Sequence, residues 1–188
     1  MGEYLELKRQ IFHAVFGIIL VYLLYENLLN IQLMFALLLI GFGISFLSKK
    51  YKLVVISWML KNFDRKDESI LGYGVLTYLL GSIIAASLFR KEIALASIMV
   101  LALGDSFSHF GSFGKIKNPF NNKKFLEGTF FGVIAGTLGA SLFVSWQVAF
   151  FGSLIAMMIE GIELSIFNGK IDDNLLIPVA AGVIMSLF

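Results

Sequence analysis

Two apolar segments joined by one short charged connection decide the fold of this chain. They lie in residues 70–105, ILGYGVLTYLLGSIIAASLFRKEIALASIMVLALGD, where the charged residues before Asp105 are Arg90, Lys91 and Glu92. A helix needs about 20 mostly apolar residues to cross the hydrocarbon core of a bilayer. Neither segment alternates apolar and polar residues, as a lipid-facing strand does. The stretch therefore predicts two transmembrane helices, and strands are not expected.

The same pattern extends over the whole chain. Apolar runs cover residues 11–29, 31–47, 70–89, 92–104, 128–144, 146–167 and 174–188. Of the 188 residues, 58% are hydrophobic and 15% are charged, which is too little charge to cover a water-soluble surface. We expect a single all-α membrane domain, residues 1–188, with about seven transmembrane helices. A weaker run predicts a short interfacial or re-entrant helix near 53–62.

The distribution of charge predicts the orientation of these helices. Thirteen of the 15 Lys and Arg residues fall in the N-terminal segment and in alternate connections, whereas Arg90 and Lys91 lie on the other side. Connections rich in Lys and Arg are usually cytoplasmic. We therefore expect a cytoplasmic N-terminus and an integral protein of the cell membrane or the endoplasmic reticulum. Eleven of the 13 acidic residues are expected on the same side.

Gly132 and Gly136 stand four residues apart in one apolar run. This spacing lets helix backbones approach closely in lipid. Helix packing explains the pair better than catalysis does, and the pair is one possible interface of a homo-oligomer. The chain has no cysteine, which excludes disulfides and a thiol nucleophile.

A first group of ionisable residues lies at the start of the first apolar run. Glu6, Arg9 and His13 are spaced to share one face of a helix. Basic residues at such a place often only anchor a helix at the interface. His13, about a turn inside the apolar run, favours a functional role.

A second group lies in the connection 105–127, which we interpret as a cytoplasmic phosphate-binding loop. Lysine side chains, glycine amides and a helix N-terminus suit an anionic phosphate chain. The candidate ligands are Gly104, Gly114, Lys115, Lys117, Lys123, Lys124 and Gly128. An alternative is a basic loop attracted to acidic lipid headgroups. That alternative does not explain Asp105, which could hold Mg²⁺ at the rim, or Glu127.

A third group of acidic residues precedes and follows the last connection. Glu160 lies within an apolar run, and Asp173 and Asn174 could supply oxygen ligands to a metal. Asp172 is either an N-cap or part of the same site. Glu68, at the start of the third run, is equally explained by helix capping and by function.

All these groups are expected at one membrane rim, which favours an enzyme joining a phosphate donor to a membrane lipid. A transporter would place ionisable groups near the midplane or on the far side. A small lipid transporter remains open as an alternative, and a purely structural scaffold explains the carboxylates least well. No nucleic-acid partner is expected.

The residues above also carry a family resemblance. The chain resembles the dolichol kinase, phytol kinase and CTP-dependent diacylglycerol kinase group, relatives of the phosphatidate cytidylyltransferases. Three signatures support this: Glu6–x–x–Arg9–x–x–x–His13, the Gly104–Asp105 loop ending in Leu126–Glu127–Gly128, and Glu160 followed by Asp173–Asn174–x–x–x–Pro178. Gln10 stands where the family commonly has a basic residue.

The resemblance implies transfer of the CTP γ-phosphate to a long-chain isoprenoid alcohol. It assigns Mg²⁺ to Asp105 and Asp173 with Asn174, and the triphosphate to the four loop lysines. It implies a phosphate contact for Arg9 and leaves His13 and Glu127 open for the hydroxyl proton. The runner-up activity is a CTP:lipid-phosphate cytidylyltransferase.

Overall fold

Helices make up most of the computed structural model, which describes residues 2–51, 72–109, 114–119, 121–162, 165–166 and 169–188. The first four are α1 (Gly2–Tyr25), α2 (Ile31–Lys50), α3 (Tyr73–Leu88) and α4 (Lys91–Met99). A π-helical segment (Val100–Asp105) and one further turn, α5 (Ser106–Ser108), continue α4. The remaining helices are α6 (Leu126–Ala140), α7 (Trp146–Ile162) and α8 (Asp173–Met185).

The predicted helical fold class is confirmed in its coarse form. Each predicted apolar run overlaps a helical segment, with α4, the π-helical segment and α5 forming one segment. Among the described residues, α1 and α2 alone are long and apolar enough to cross a membrane, and α3, α6, α7 and α8 are apolar but shorter. The predicted count of seven crossings is therefore not supported. The helix predicted near 53–62 lies outside the described residues.

The surfaces of α1 and α2 are apolar and largely unburied. Only 28% of the apolar window of α1 and 17% of that of α2 are buried inside the protein. Ile11, Ile19, Leu39 and Phe46 are among the large side chains left exposed on these helices. Monomeric soluble proteins rarely expose contiguous apolar surface on this scale. The two helices are therefore suited to contact with lipid.

Two short antiparallel hairpins interrupt the helical pattern. β1 (Lys117–Asn118) pairs with β2 (Asn121–Phe125), and β3 (Ser165–Ile166) pairs with β4 (Gly169–Lys170). The expectation that strands are absent is wrong at these two places. Both hairpins lie in connections between helices, where backbone groups still need hydrogen-bond partners and apolar periodicity gives no signal.

Local sequence explains where several helices begin. The side chain of Asn30 accepts a hydrogen bond from the Leu33 amide, and that of Asp172 accepts one from the Asn174 amide, both at 2.9 Å. Such side-chain acceptors satisfy amides that lack a partner in the first turn. The capping role of Asp172 is thereby confirmed. Gly72 precedes α3 with a φ of 75°, a conformation that favours glycine.

Small residues bring α6 against the π-helical segment and α7. A Cβ added at Gly132 would lie 2.9 Å from the Gly104 carbonyl oxygen and 2.6 Å from Met157 Sδ. A Cβ at Gly136 would lie 3.1 Å from Ser153 Oγ. The helix-packing prediction for this pair is confirmed. Because the chain's own helices occupy this face of α6, it is not a free interface for a second copy.

The tightest approach joins α3 to α8. A Cβ at Gly81 would lie 2.0 Å from the backbone oxygen of Asn174, so the two helix backbones meet where no side chain fits. Asn174 also donates from its amide nitrogen to Thr77 Oγ1 at 3.0 Å and to the Gly74 carbonyl oxygen at 3.3 Å. The start of α8 is thus placed by α3, and Asp173 with it.

We predict that Gly81→Ala destabilises the protein by about 1–3 kcal/mol, because the new methyl group must displace the α8 backbone. The matched control is Gly74→Ala in the same helix, where an added Cβ meets nothing within 4 Å. This control should be neutral or slightly stabilising, since alanine favours helix by about 0.5–1 kcal/mol. Thermal unfolding in detergent measures both variants. Equal melting temperatures for the two would contradict the close approach.

Candidate active site

Three carboxylates from three separate elements meet at one end of the helix bundle. Asp105 ends the π-helical segment, Glu160 lies in the last turn of α7, and Asp173 begins α8. One ligand oxygen from each residue lies within 4.8 Å of the others. Glu160 is buried, with 5% of its surface exposed. Carboxylates this close repel one another, most strongly where one of them is buried, so the arrangement favours a cation nearby.

Lys124 of β2 supplies positive charge to this cluster. Its ammonium donates to the Glu160 carboxylate, to the Glu160 backbone oxygen at 2.7 Å and to Asp173 Oδ2 at 3.4 Å. Burial lowers the pKa of Lys124, but the charges of Glu160 and Asp173 raise it by more, so the pKa lies above its ordinary value. The ammonium is therefore protonated at neutral pH.

The carboxylate cluster also fits a divalent metal. Carboxylate oxygens are the ligands that Mg²⁺ prefers in proteins. Asp173 Oδ1 is buried and accepts no hydrogen bond from any described residue. A buried acceptor without a donor is costly, and a bound cation would remove that cost. The residues present are thus chemically suited to Mg²⁺.

The structure adds one carboxylate to the predicted metal-site residues. Asp105 and Asp173 are brought together, and Glu160, to which no metal role was assigned, lies with them. The amide nitrogen of Asn174 contacts α3, and its amide oxygen stays a predicted metal ligand. Hydropathy placed Glu160 near the end of a helix but could not show that the end of α7 lies beside the start of α8.

The predicted face of α1 lies against the same cluster. His13 Nε2 lies 3.4 Å from Asp105 Oδ2. The His13 ring packs edge-on against Tyr78 of α3, with ring centroids 4.5 Å apart. Tyr78 is almost completely buried, and it was not singled out from the sequence because an aromatic residue in an apolar run carries no special signal. The His13 imidazole is thus held between a carboxylate and an aromatic ring.

The Glu6 carboxylate contacts side chains of α1 and a histidine that follows the π-helical segment. Arg9 and Gln10 donate to Glu6 Oε1, the latter at 2.9 Å. His109, beyond the π-helical segment, brings Nε2 to 3.2 Å from the same oxygen. Glu6 thus links α1 to the segment that follows Asp105. Gln10 is buried in this contact.

Glu127 holds the middle of the predicted phosphate loop. Its Oε1 accepts hydrogen bonds from the backbone amides of Lys115 at 2.8 Å and Ile116 at 3.1 Å. A Cβ at Gly114 would lie 2.5 Å from Glu127 Oε2, so only glycine allows this approach. The carboxylate therefore positions this part of the loop.

The remaining predicted nucleotide ligands are placed in different environments. Lys115 and Lys117 are exposed at the start of the hairpin, and the side chain of Lys123 lies outside the described part of the chain. Gly104 and Gly128 are buried in helical segments. A Cβ at Gly104 would lie 3.3 Å from the Gly132 carbonyl oxygen, so close helix packing accounts for this glycine. Glu68 also lies outside the described residues.

Comparisons with known proteins identify distant relatives. The chain is 29% identical to an uncharacterized protein of Methanocaldococcus jannaschii over 185 residues, 96% of this chain and 93% of that protein. It is 30% identical to CTP-dependent diacylglycerol kinase 1 of Eremothecium gossypii over 149 residues, 64% of this chain but 46% of that protein. It is 25% identical to the protein of the same name from Saccharomyces cerevisiae, over 96% of this chain and 72% of that protein.

No protein-family model and no solved structure matches the chain. The chain spans less than half the length of the Eremothecium relative. Because two of the relatives are named CTP-dependent diacylglycerol kinase 1, CTP-dependent lipid kinases are among the distant homologues of this chain.

We predict that Glu127→Ala accelerates amide hydrogen exchange at Lys115 and Ile116 by about tenfold or more, because two amides lose a charged acceptor. Glu127→Gln is the matched control, since it removes the charge but keeps an acceptor oxygen. It should show an intermediate effect. Hydrogen exchange read by mass spectrometry measures both, and unchanged exchange in the alanine variant would show that Glu127 does not hold the loop.

Proposed function

We propose that the protein is a CTP-dependent lipid kinase that transfers the γ-phosphate of CTP to the hydroxyl group of a membrane lipid. The observation that carries this proposal is the meeting of Asp105, Glu160 and Asp173 beside His13 and Lys124. The names of two distant homologues support CTP as the donor. The apolar surface of the flanking helices supports a lipid acceptor.

The proposed lipid acceptor is an isoprenoid alcohol or diacylglycerol. The sequence resemblance predicted a long-chain isoprenoid alcohol of the dolichol or polyprenol type. The names of the two relatives instead favour diacylglycerol. Both acceptors present a primary or secondary hydroxyl on an apolar body, so the same site chemistry serves either of them.

In the proposed mechanism, Asp105, Glu160 and Asp173 would hold Mg²⁺, which would supply positive charge for the triphosphate oxygens. Arg9 supplies a planar guanidinium with several donors, so that it can contact phosphate while remaining paired to Glu6. Lys115 and Lys117, exposed at the entrance of the hairpin, add positive charge for the triphosphate.

His13 is the proposed general base. Its imidazole accepts the proton of the lipid hydroxyl, and the Asp105 carboxylate, 3.4 Å from Nε2, stabilises the imidazolium that results. The lipid oxygen forms a new bond to the γ-phosphorus while the bond to the bridging oxygen of CTP breaks. The products are CDP and a lipid monophosphate.

We place this site at the cytoplasmic face, with the N-terminus cytoplasmic. The excess of Lys and Arg in alternate connections supports this orientation. In this arrangement, the apolar helices other than α1 and α2 complete the membrane domain and give about seven crossings. The neighbouring helices shield the shorter helices from lipid. A cytoplasmic site gives direct access to soluble CTP.

The activity is tested with purified protein in detergent, Mg²⁺ and γ-labelled CTP against diacylglycerol, a polyprenol, phytol and geranylgeraniol. We expect label in at least one lipid and release of CDP. The absence of label from every lipid would refute the kinase. Release of pyrophosphate with formation of a CDP-lipid would instead identify a cytidylyltransferase, and lipid movement in liposomes without nucleotide turnover would identify a transporter.

We predict that Asp105→Asn, Glu160→Gln and Asp173→Asn each weaken Mn²⁺ binding by about tenfold or more, because each removes a charged oxygen ligand. The matched control is Asp172→Asn, which removes the same charge one residue away and keeps an N-cap side chain. Titration of Mn²⁺ followed by electron paramagnetic resonance measures all four variants. Equal affinities in the control and the three site variants would contradict the metal assignment.

A further inference from the structure

The ammonium of Lys124 lies in the carboxylate cluster at a position where a cation is needed to balance the negative charge. Its ammonium contacts Glu160 through both the side chain and the backbone oxygen, and it also reaches Asp173. Its charge is also felt by Asp105, the third carboxylate. The ammonium of Lys124 therefore interacts with the same carboxylates that would hold Mg²⁺.

A lysine and a divalent metal are difficult to accommodate together in this cluster. The ligand oxygens lie within 4.8 Å of one another, and Mg²⁺ requires oxygens at about 2.0–2.1 Å. Two cations within this space would repel each other in surroundings that screen charge poorly. The ammonium binds one oxygen each of Glu160 and Asp173, which are two of the three carboxylates that would hold the metal.

The hairpin that carries Lys124 is anchored independently of this lysine. Asn118 of β1 donates to the Gly161 carbonyl oxygen at 3.1 Å, and Leu126 donates its backbone amide to Ile116 at 2.9 Å. Glu127 holds the amides of Lys115 and Ile116. The flexible four-carbon stem of lysine can therefore change position while the hairpin stays in place.

We propose that Lys124 is an exchangeable occupant of the cation site: it neutralises the carboxylates before a metal binds, and the metal then displaces it toward the triphosphate. This inference rests on the proposed metal site and adds a second state for one of its residues. The exchange prevents the carboxylates from facing one another without a cation. It also delivers a positive charge to the nucleotide only when the metal is in place.

Removal of the Lys124 ammonium is expected to raise the affinity of the carboxylate cluster for metal. Lys124→Met removes the competing cation, so we expect Mn²⁺ to bind about tenfold more tightly than to the unmodified protein, measured without nucleotide in detergent. Lys117→Met is the matched control, since it removes the same charge from an exposed side chain of the same hairpin. Screening by solvent and salt should leave its Mn²⁺ affinity nearly unchanged.

A second measurement uses the unmodified protein and so does not depend on how the variants fold. A water-soluble acetylating reagent is applied with and without Mn²⁺, and modification of each lysine is followed by mass spectrometry. We expect Mn²⁺ to raise the modification rate of Lys124 severalfold and to leave that of Lys117 unchanged.

The outcomes separate this inference from the proposed function. Tighter Mn²⁺ binding in Lys124→Met together with metal-dependent exposure of Lys124 supports the exchange. Unchanged or weaker Mn²⁺ binding in that variant, with Lys124 still protected, shows that lysine and metal share the site and overturns the exchange alone. A failure of Mn²⁺ to bind the unmodified protein overturns both the exchange and the metal site.

Discussion

The meeting of three carboxylates around one lysine, with Glu160 buried, is the constraint on which the rest of the structure depends. Charged groups removed from water are costly unless opposite charge and hydrogen bonds compensate them. Asp105 and Asp173 lie partly buried beside Glu160, and Lys124 binds Glu160 and Asp173. A structure that kept the carboxylates but lost the lysine would leave negative charge uncompensated. The β1–β2 hairpin must therefore be held against the ends of α7 and α8.

Close packing of the helices makes this arrangement possible. Gly81 lets the backbones of α3 and α8 approach each other, and Gly132 does the same for α6 and the π-helical segment. Because helix ends carry the carboxylates, a small shift along any of these contacts would separate the ligand oxygens. The π-helical segment ends at Asp105, and irregular helical turns of this kind are frequent at functional sites. Packing in the apolar interior thus sets the geometry of the polar end.

Much of the fold and part of the site were predictable from local patterns. Apolar runs located the helices, and the spacing of Glu6, Arg9 and His13 placed their side chains on one helix face. Asp105 and Asp173 were selected because charged residues at the edges of apolar runs are rarely accidental. The short hairpins were missed because two-residue strands produce no periodic signal. The meeting of Glu160 with Asp105 and Asp173, the pairing of Lys124 and the loop contact of Glu127 join residues that are far apart in the sequence, and spacing along one helix says nothing about them.

The sequence by itself determined that the chain is helical and apolar, with its ionisable residues concentrated near particular helix ends, because these properties follow from composition and from contacts within a few residues. The tertiary structure alone decided which helix ends meet. It placed Glu160 beside Asp105 and Asp173, and it placed Lys124 against Glu160 and Asp173. It also packed the Gly132–Gly136 face of α6 against other helices of the same chain. The physical reason is that packing between helices depends on shape complementarity between distant segments, whereas hydropathy and helix periodicity record only what each segment does on its own.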